Sequence, residues 1–273
     1  MEEKYKIIPV NFSPGYTAAD ISVVVPQWHQ HKNRIVWFLK QYVRSTPPEI
    51  VRNTWIICDE KDSHSKELLS QYNKSHGVNF DTVSHSDWST YKQLLGFQKV
   101  KTRLCVKLHN DICILRTDWI QSLLDKFNET REPQLLGGYH RTSDIDKGRL
   151  EKFVKTYPIF GELYEKLEFA AGENGLETTG ASYVTAYVTV TQTYVFQSLY
   201  PQIVELEGGK MDKEDCLFTL LVSLNRIKIS SWVNMHEFLF WVTNKRADFD
   251  SADEFQYPVS NNNYPPALWE EAK

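Results

Sequence analysis

The residues best equipped for chemistry lie where apolar runs give way to polar ones. Leu104 to Leu108 is followed by the triplet His109-Asn110-Asp111, and Ile112-Cys113-Ile114-Leu115 then resumes the apolar pattern. A buried strand that ends in a carboxylate can hold a cation against a phosphate, which makes Asp111 a candidate metal ligand. Two earlier runs end in the same way. Val23-Val24-Val25 leads into Pro26-Gln27-Trp28-His29, and Trp55-Ile56-Ile57-Cys58 leads into Asp59-Glu60. Farther on, Lys213-Glu214-Asp215 opens an apolar helical pattern. Acidic residues there suit the positive end of a helix dipole whether or not they do chemistry. Beside a cleft, one of them can also serve as a general base.

These groups need elements to position them. Residues 21–25, 55–58, 78–83 and 104–108 are short, apolar and bounded by turn residues, as expected for buried strands. Between them lie helical patterns. One runs over about 33–44, with Asn33 as a cap and Pro47-Pro48 as its end. A second covers about 65–74, with Gly77 as C-cap, and a third covers about 88–100. Strands alternating with helices predict an α/β fold with a mainly parallel sheet and right-handed crossovers. Ligands of such sheets bind beyond the carboxyl ends of the strands, so the three polar strand ends are expected to converge on one cleft.

The second half is less regular. It offers a strand near 134–139, a charged and aromatic stretch over 141–170, and a loop at Gly172-Glu173-Asn174-Gly175. Tyr157, Phe160, Tyr164 and Phe169 can line a groove or simply pack as a core stripe. Residues 181–190 read as a strand, or as a strand running into a helix. A helix over 213–224, a short strand at 227–229 and a polar tail after Ala247 complete the chain. The expected organisation is one domain over 1–273. Its regular first half covers about 20–118, its less regular second half about 119–245, and its tail 246–273.

Composition narrows the classes. With 273 residues, 41% hydrophobic and 13% aromatic, the chain can build a substantial core, which excludes a mostly disordered protein. A net charge of −4 provides no global field for nucleic acid or an anionic membrane. Cys58, Cys105, Cys113 and Cys216 lie far apart in mostly apolar runs and read as buried free thiols of a reducing compartment. The segment Met1 to Lys6 has no apolar core behind it, and no run approaches the roughly 18 apolar residues of a membrane span. The expectation is a soluble, cytoplasmic protein. Neither GxGxxG nor GxxxxGK[ST] occurs, so phosphate has to be held by a metal or by side chains. HExxH, CxxC and GxSxG are also absent, which argues against a zinc site and a serine hydrolase.

The order and spacing of these motifs over residues 20–240 resemble the GT-A nucleotide-sugar glycosyltransferases, especially the family-two group. Val23-Val24-Val25-Pro26-Gln27 resembles the first strand and nucleotide loop. Asp59, or its neighbour Glu60, matches the acidic residue that contacts the base. Leu108-His109-Asn110-Asp111-Ile112-Cys113-Ile114, followed by Asp118-Trp119-Ile120, resembles the DxD segment and the Trp-containing helix after it. Thr179-Gly180-Ala181 is similar to the acceptor-side glycine segment. Glu214-Asp215 resembles the Glu-Asp motif at a helix start, and Asn225 to Ile229 the strand after it. His236 falls where many members place a late metal- or diphosphate-binding histidine.

The resemblance implies a GT-A fold and transfer from a nucleoside-diphosphate sugar, with a UDP-sugar as first choice. It implies donor contacts at Pro26, Gln27, Asp59, Glu60, Lys92, Asn110 and Gly180. A divalent cation would sit at Asp111 and His236, with Mn²⁺ ahead of Mg²⁺ because of the imidazole. Asp215 would be the base, Glu214 would position the acceptor or Asp215, and the reaction would invert the anomeric carbon. The acceptor stays open among glycan, protein, small molecule and modified nucleic acid. One departure is plain: His109 stands where the first Asp of DxD belongs. It leaves room for a noncatalytic nucleotide- or sugar-binding relative. A nucleotidyltransferase is the other alternative, although its usual Gly-rich basic loop is missing. His236 is equally compatible with an ordinary interior or surface histidine.

Overall fold

The computed structural model describes residues 15–27, 32–84, 89–137, 152–158, 161, 188–207, 214–225, 227–232 and 235–241. Chain alternation begins at once. Strand β1 (Ile21–Pro26) is followed by helices α1 (Lys32–Ser45) and α2 (Pro48–Arg52). Next come β2 (Thr54–Asp59), α3 (Ser63–His76), β3 (Asn79–Val83), α4 (Ser89–Lys99) and β4 (Leu104–Leu108). The later elements are β5 (Ile112–Ile114), α5 (Trp119–Phe127), β6 (Gln134–Gly137), β7 (Val188–Gln192) and α6 (Thr193–Glu207). The described chain closes with α7 (Glu214–Leu224), β8 (Lys228–Ser231) and β9 (Leu239–Trp241).

Seven strands form one sheet in the order β3-β2-β1-β4-β7-β6-β8. The first four are mutually parallel, and β6 pairs parallel with β8. Strand β7 runs against both neighbours, with Leu108 opposite Val188 and Leu135 opposite Thr191. Strands β5 and β9 form a separate antiparallel pair.

Helices cover both faces of the sheet, so β1 and β4 are buried and mostly apolar, with Ser22 and Lys107 as their polar members. Successive residues of β1 feed opposite layers. Ile21, Val23 and Val25 join a cluster with Ile35, Phe38, Leu39 and Tyr42 of α1 and with the buried face of α5. That α1 spacing is the stripe of an amphipathic helix. On the other face, Val24 and Cys105 pack with Phe97 of α4 and with the apolar sides of α6 and α7. Helix α4 approaches β1 so closely that a Cβ on Gly96 would overlap Val24 Cγ1.

Several expectations need adjusting. Asn33 lies inside α1 rather than before it; α1 does end at Ser45, just before Pro47-Pro48, and Pro48 also opens α2. A proline suits that first position because its N–H has no helical partner there. Gly77 does cap α3, at φ 77°. Helix α6 was not anticipated, and Pro201 lies within it. Burial of Val195, Phe196, Leu199, Tyr200 and Ile203 outweighs the roughly 3 kcal/mol a mid-helix proline costs. All four cysteines are buried free thiols. Residues 152–156 are helical. Most of the 141–170 stretch, the 172–175 loop, residues 181–187 and the tail lie outside the described residues. No described helix is long and apolar enough to cross a membrane.

Candidate active site

The carboxyl ends of β1 and β4 are tied together by neutral side chains. Pro26 ends β1 although β1 is a central strand. Odd-numbered residues of β1 face β2, as the Val23 and Gln27 amides show by donating to Asn53 and Ile57. The missing Pro26 N–H therefore falls on the β4 side, where the register has already ended at Val24 opposite Lys107. Beyond it, Gln27 is fully buried and accepts, on its side-chain oxygen, a short hydrogen bond from Asn110 Nδ2. The Gln27 carbonyl accepts a second bond from Lys92 Nζ of α4 at 2.8 Å. Pro26, Gln27, Lys92 and Asn110 thus meet at one strand end.

The end of β2 discriminates between its two acids. Glu60 is exposed, whereas Asp59 is 1% exposed. Asp59 Oδ1 accepts from the Lys61 amide at 2.8 Å, while Oδ2 is buried with no hydrogen-bond partner among the described residues. A half-satisfied buried carboxylate is costly, and a donor on a ligand would complete it.

A charged network lies on the α4 face of the sheet. Lys107 of β4 is 2% exposed, and its Nζ lies 3.5 Å from Glu214 Oε1 and 3.4 Å from the Tyr200 hydroxyl. Tyr200 of α6 donates to Gln93 Oε1 at 2.5 Å, and Gln93 Nε2 of α4 donates to Glu214 Oε1 at 3.0 Å. The four side chains close a ring under the first turn of α7. Burial opposes the Glu214 anion, yet Lys107, the Gln93 bond and nearby His109 together hold its carboxyl below the usual range. Asp215 behaves oppositely. Burial first, and the Glu214 charge second, push its carboxyl up to about 6. Adjacent carboxyls driven apart in this way can divide the roles of permanent anion and proton acceptor. Asp215 Oδ1 also accepts from the Cys216 amide at 3.0 Å.

Asp111 lies half-buried on the turn between β4 and β5, with its Oδ1 3.9 Å from His109 Nδ1. His236 belongs to the short 3₁₀ turn Met235–Glu237. The register separates these two positions. Asp111 precedes the Ile112–Trp241 pair, whereas the His236 turn leads into Leu239, opposite Ile114, at the other end of the ladder. The Leu115 amide donates to the Phe238 carbonyl at 2.8 Å, and Arg116 covers the Phe238 ring, so that turn lies beside Arg116. The His236 side chain lies outside the described residues, and its pairing with Asp111 stays an expectation of the resemblance. Among the described residues, no group of three or more His, Cys, Asp or Glu is placed to hold a metal ion. Gly180, Trp28 and His29 lie outside the described residues.

Sequence reasoning missed Lys107, Gln93 and Tyr200. Lys107 did leave a signal, as the one charge inside the strand Leu104-Cys105-Val106-Lys107-Leu108. Gln93 and Tyr200 left none, because their roles arise only when α4 and α6 meet β4.

No family model and no curated protein sequence matches the chain. Solved structures do. The mannosyltransferase PcManGT from Pyrobaculum calidifontis, in complex with GDP-Man and Mn²⁺, aligns with TM-score 0.50 and 9% identity over 89% of this chain and 63% of that one. TarS 1–349 of S. aureus aligns at 0.45 and 13% identity, over 78% of this chain and 57% of that one. Glucosyl-3-phosphoglycerate synthase from Mycobacterium tuberculosis, in complex with Mn²⁺, UDP and glucosyl-3-phosphoglycerate, aligns at 0.46 and 11%, over 87% and 80%. The chain spans 57% of the TarS chain and 44% of that of GlyE from Streptococcus pneumoniae. At these identities the likeness is one of fold. With a parallel β3-β2-β1-β4 half, a reversed β7 and the small β5–β9 pair, the chain has the GT-A fold of the nucleotide-sugar glycosyltransferases.

Proposed function

We propose that the chain transfers a sugar from a nucleoside-diphosphate sugar to an acceptor hydroxyl, with inversion at the anomeric carbon. One observation carries the reading: the adjacent carboxyls of Glu214 and Asp215 open α7 next to the carboxyl end of β4, with Glu214 3.5 Å from Lys107 Nζ and Asp215 pushed up to about 6. A base with that affinity is charged at physiological pH and can still take up a proton. The acceptor oxygen bonds to the anomeric carbon while its proton passes to the Asp215 carboxylate. The bond from the anomeric carbon to the diphosphate oxygen breaks, and its electron pair leaves with the diphosphate. One carboxylate plus phosphate oxygens is a normal donor set for a hard cation that arrives with its substrate, so Asp111 fits that task. Such a cation would supply stabilisation of the charge that builds on the leaving diphosphate, and an added imidazole from His236 would favour Mn²⁺ over Mg²⁺.

The remaining residues bind and orient the donor. Asp59 Oδ2 accepts from the base, with UDP as first choice. Gln27 and Asn110, fixed against each other and against Lys92, form the floor between β1 and β4. The test is a panel of UDP-glucose, UDP-N-acetylglucosamine and GDP-mannose with Mn²⁺, followed for slow hydrolysis. Hydrolysis of at least one donor, lost in Asp111→Ala, supports the reading. Absence of donor binding in calorimetry, with and without metal, contradicts it.

A further inference from the structure

Lys107 is an anomaly in its strand. All five residues of β4 are buried, and an apolar side chain would fill position 107 at no electrostatic cost. Glu214 is a second anomaly, since an acid that only complements a helix dipole can stay in water. Here both charges are out of water and 3.5 Å apart, and two neutral groups close the circuit from Lys107 through Tyr200 and Gln93 back to Glu214. The ring joins β4, α4, α6 and α7, so Glu214 cannot turn without giving up contacts to two other elements. The groups that face it are Lys107 from β4, His109 just beyond β4, neutral Gln93 from α4 and its own neighbour Asp215. Tyr200 from α6 reaches it through Lys107 and Gln93.

We propose that Lys107 is a positioning residue for the base: through the ring it holds Glu214 as an anion at the start of α7, and Glu214 in turn fixes the orientation and charge of Asp215. The inference rests on the reading of Asp215 as the base and adds to it a control residue on a different element. Breaking a buried ion pair leaves the surviving charge uncompensated, so in Lys107→Met Glu214 takes up a proton more readily. Asp215 then loses the neighbouring negative charge, which is a stronger influence on it than Lys107 itself. Both Lys107→Met and Glu214→Gln therefore lower the pH at which Asp215 titrates, and Glu214→Gln lowers it more.

The experiment is a carboxyl ¹³C NMR titration of the full chain, labelled at Asp and Glu, in wild type, Lys107→Met, Lys107→Arg and Glu214→Gln. Donor hydrolysis is measured on the same samples. Expected are an Asp215 titration near 6 in wild type, displaced downward in Glu214→Gln and Lys107→Met and retained in Lys107→Arg. Turnover should fall by about 10-fold or more in Lys107→Met with donor KM unchanged, and Lys107→Met should add little in a Glu214→Gln background. A folded Lys107→Met protein in which Asp215 titrates as in wild type overturns the proposal. If Lys107→Met does not fold, an unmoved Asp215 titration in Glu214→Gln overturns it equally. Transfer that survives in Asp215→Asn defeats the base reading instead, whatever the titrations show.

Discussion

Two buried polar clusters flank the carboxyl end of β4, and they are built on different physics. The Gln27–Asn110–Lys92 cluster joins strand ends through a side-chain amide pair and one ammonium-to-carbonyl bond. The Lys107–Glu214–Gln93–Tyr200 ring encloses an ion pair. Adjacent residues of one helix, Lys92 and Gln93 of α4, serve the two. The first cluster contains no carboxyl group and forms the floor of the proposed donor site. The second sets a charge, and so makes the neighbouring Asp215 sensitive to pH. A donor needs the first property and a base needs the second.

The largest expected effect comes from breaking the ion pair. Lys107→Met should lower the stability measured by urea unfolding by about 3–5 kcal/mol, because a buried carboxylate is left without its cation. Adding Glu214→Gln should recover part of that loss. If the double variant is as unstable as the sum of the two singles, the ring is not an interacting unit. Next comes Gly96→Ala. A Cβ there would overlap Val24 Cγ1 and lie 3.3 Å from Ile57 Cγ1, pushing α4 off the sheet. A loss of about 1–3 kcal/mol is expected, with donor binding and turnover both impaired because α4 feeds both clusters. Impairment of only one would show that the clusters are uncoupled.

Asp59→Ala is a narrower change. It should weaken UDP binding about 10-fold in calorimetry and leave the Asp215 titration unmoved. The smallest effect follows from linkage. Asp215 binds its proton more tightly folded than unfolded, so its stabilising contribution is present in acid and is lost as pH rises through about 6. Asp215→Asn removes that loss. The variant should melt a few degrees above wild type at about pH 8, and the gap should close by about pH 4. Glu214 has the opposite sign: its lowered carboxyl stabilises the fold above the usual glutamate range and loses that contribution as pH falls.

The two clusters also differ in how legible they are. Gln27, Asp59, Asn110 and Asp111 all end apolar strands, a local pattern that sequence spacing exposes, and the parallel β1–β4 core follows from the same periodicity. The ring could not be read in this way, because each of its contacts joins residues 93 to 121 positions apart and no local motif links them. Helix α6, which supplies Tyr200, is hidden by Pro201 and by β-branched and aromatic residues of low intrinsic helix propensity. The reversal of β7 and the pairing of β5 with β9 are tertiary choices with no local signature.

Whether Asp215 is the base is tested most directly by measuring donor affinity and turnover side by side in wild type and Asp215→Asn, with Mn²⁺ and whichever donor the panel identifies. The expected result is a dissociation constant within about threefold of wild type and a turnover reduced by about 100-fold or more. Turnover near the wild-type rate, with the donor still bound, would contradict the account.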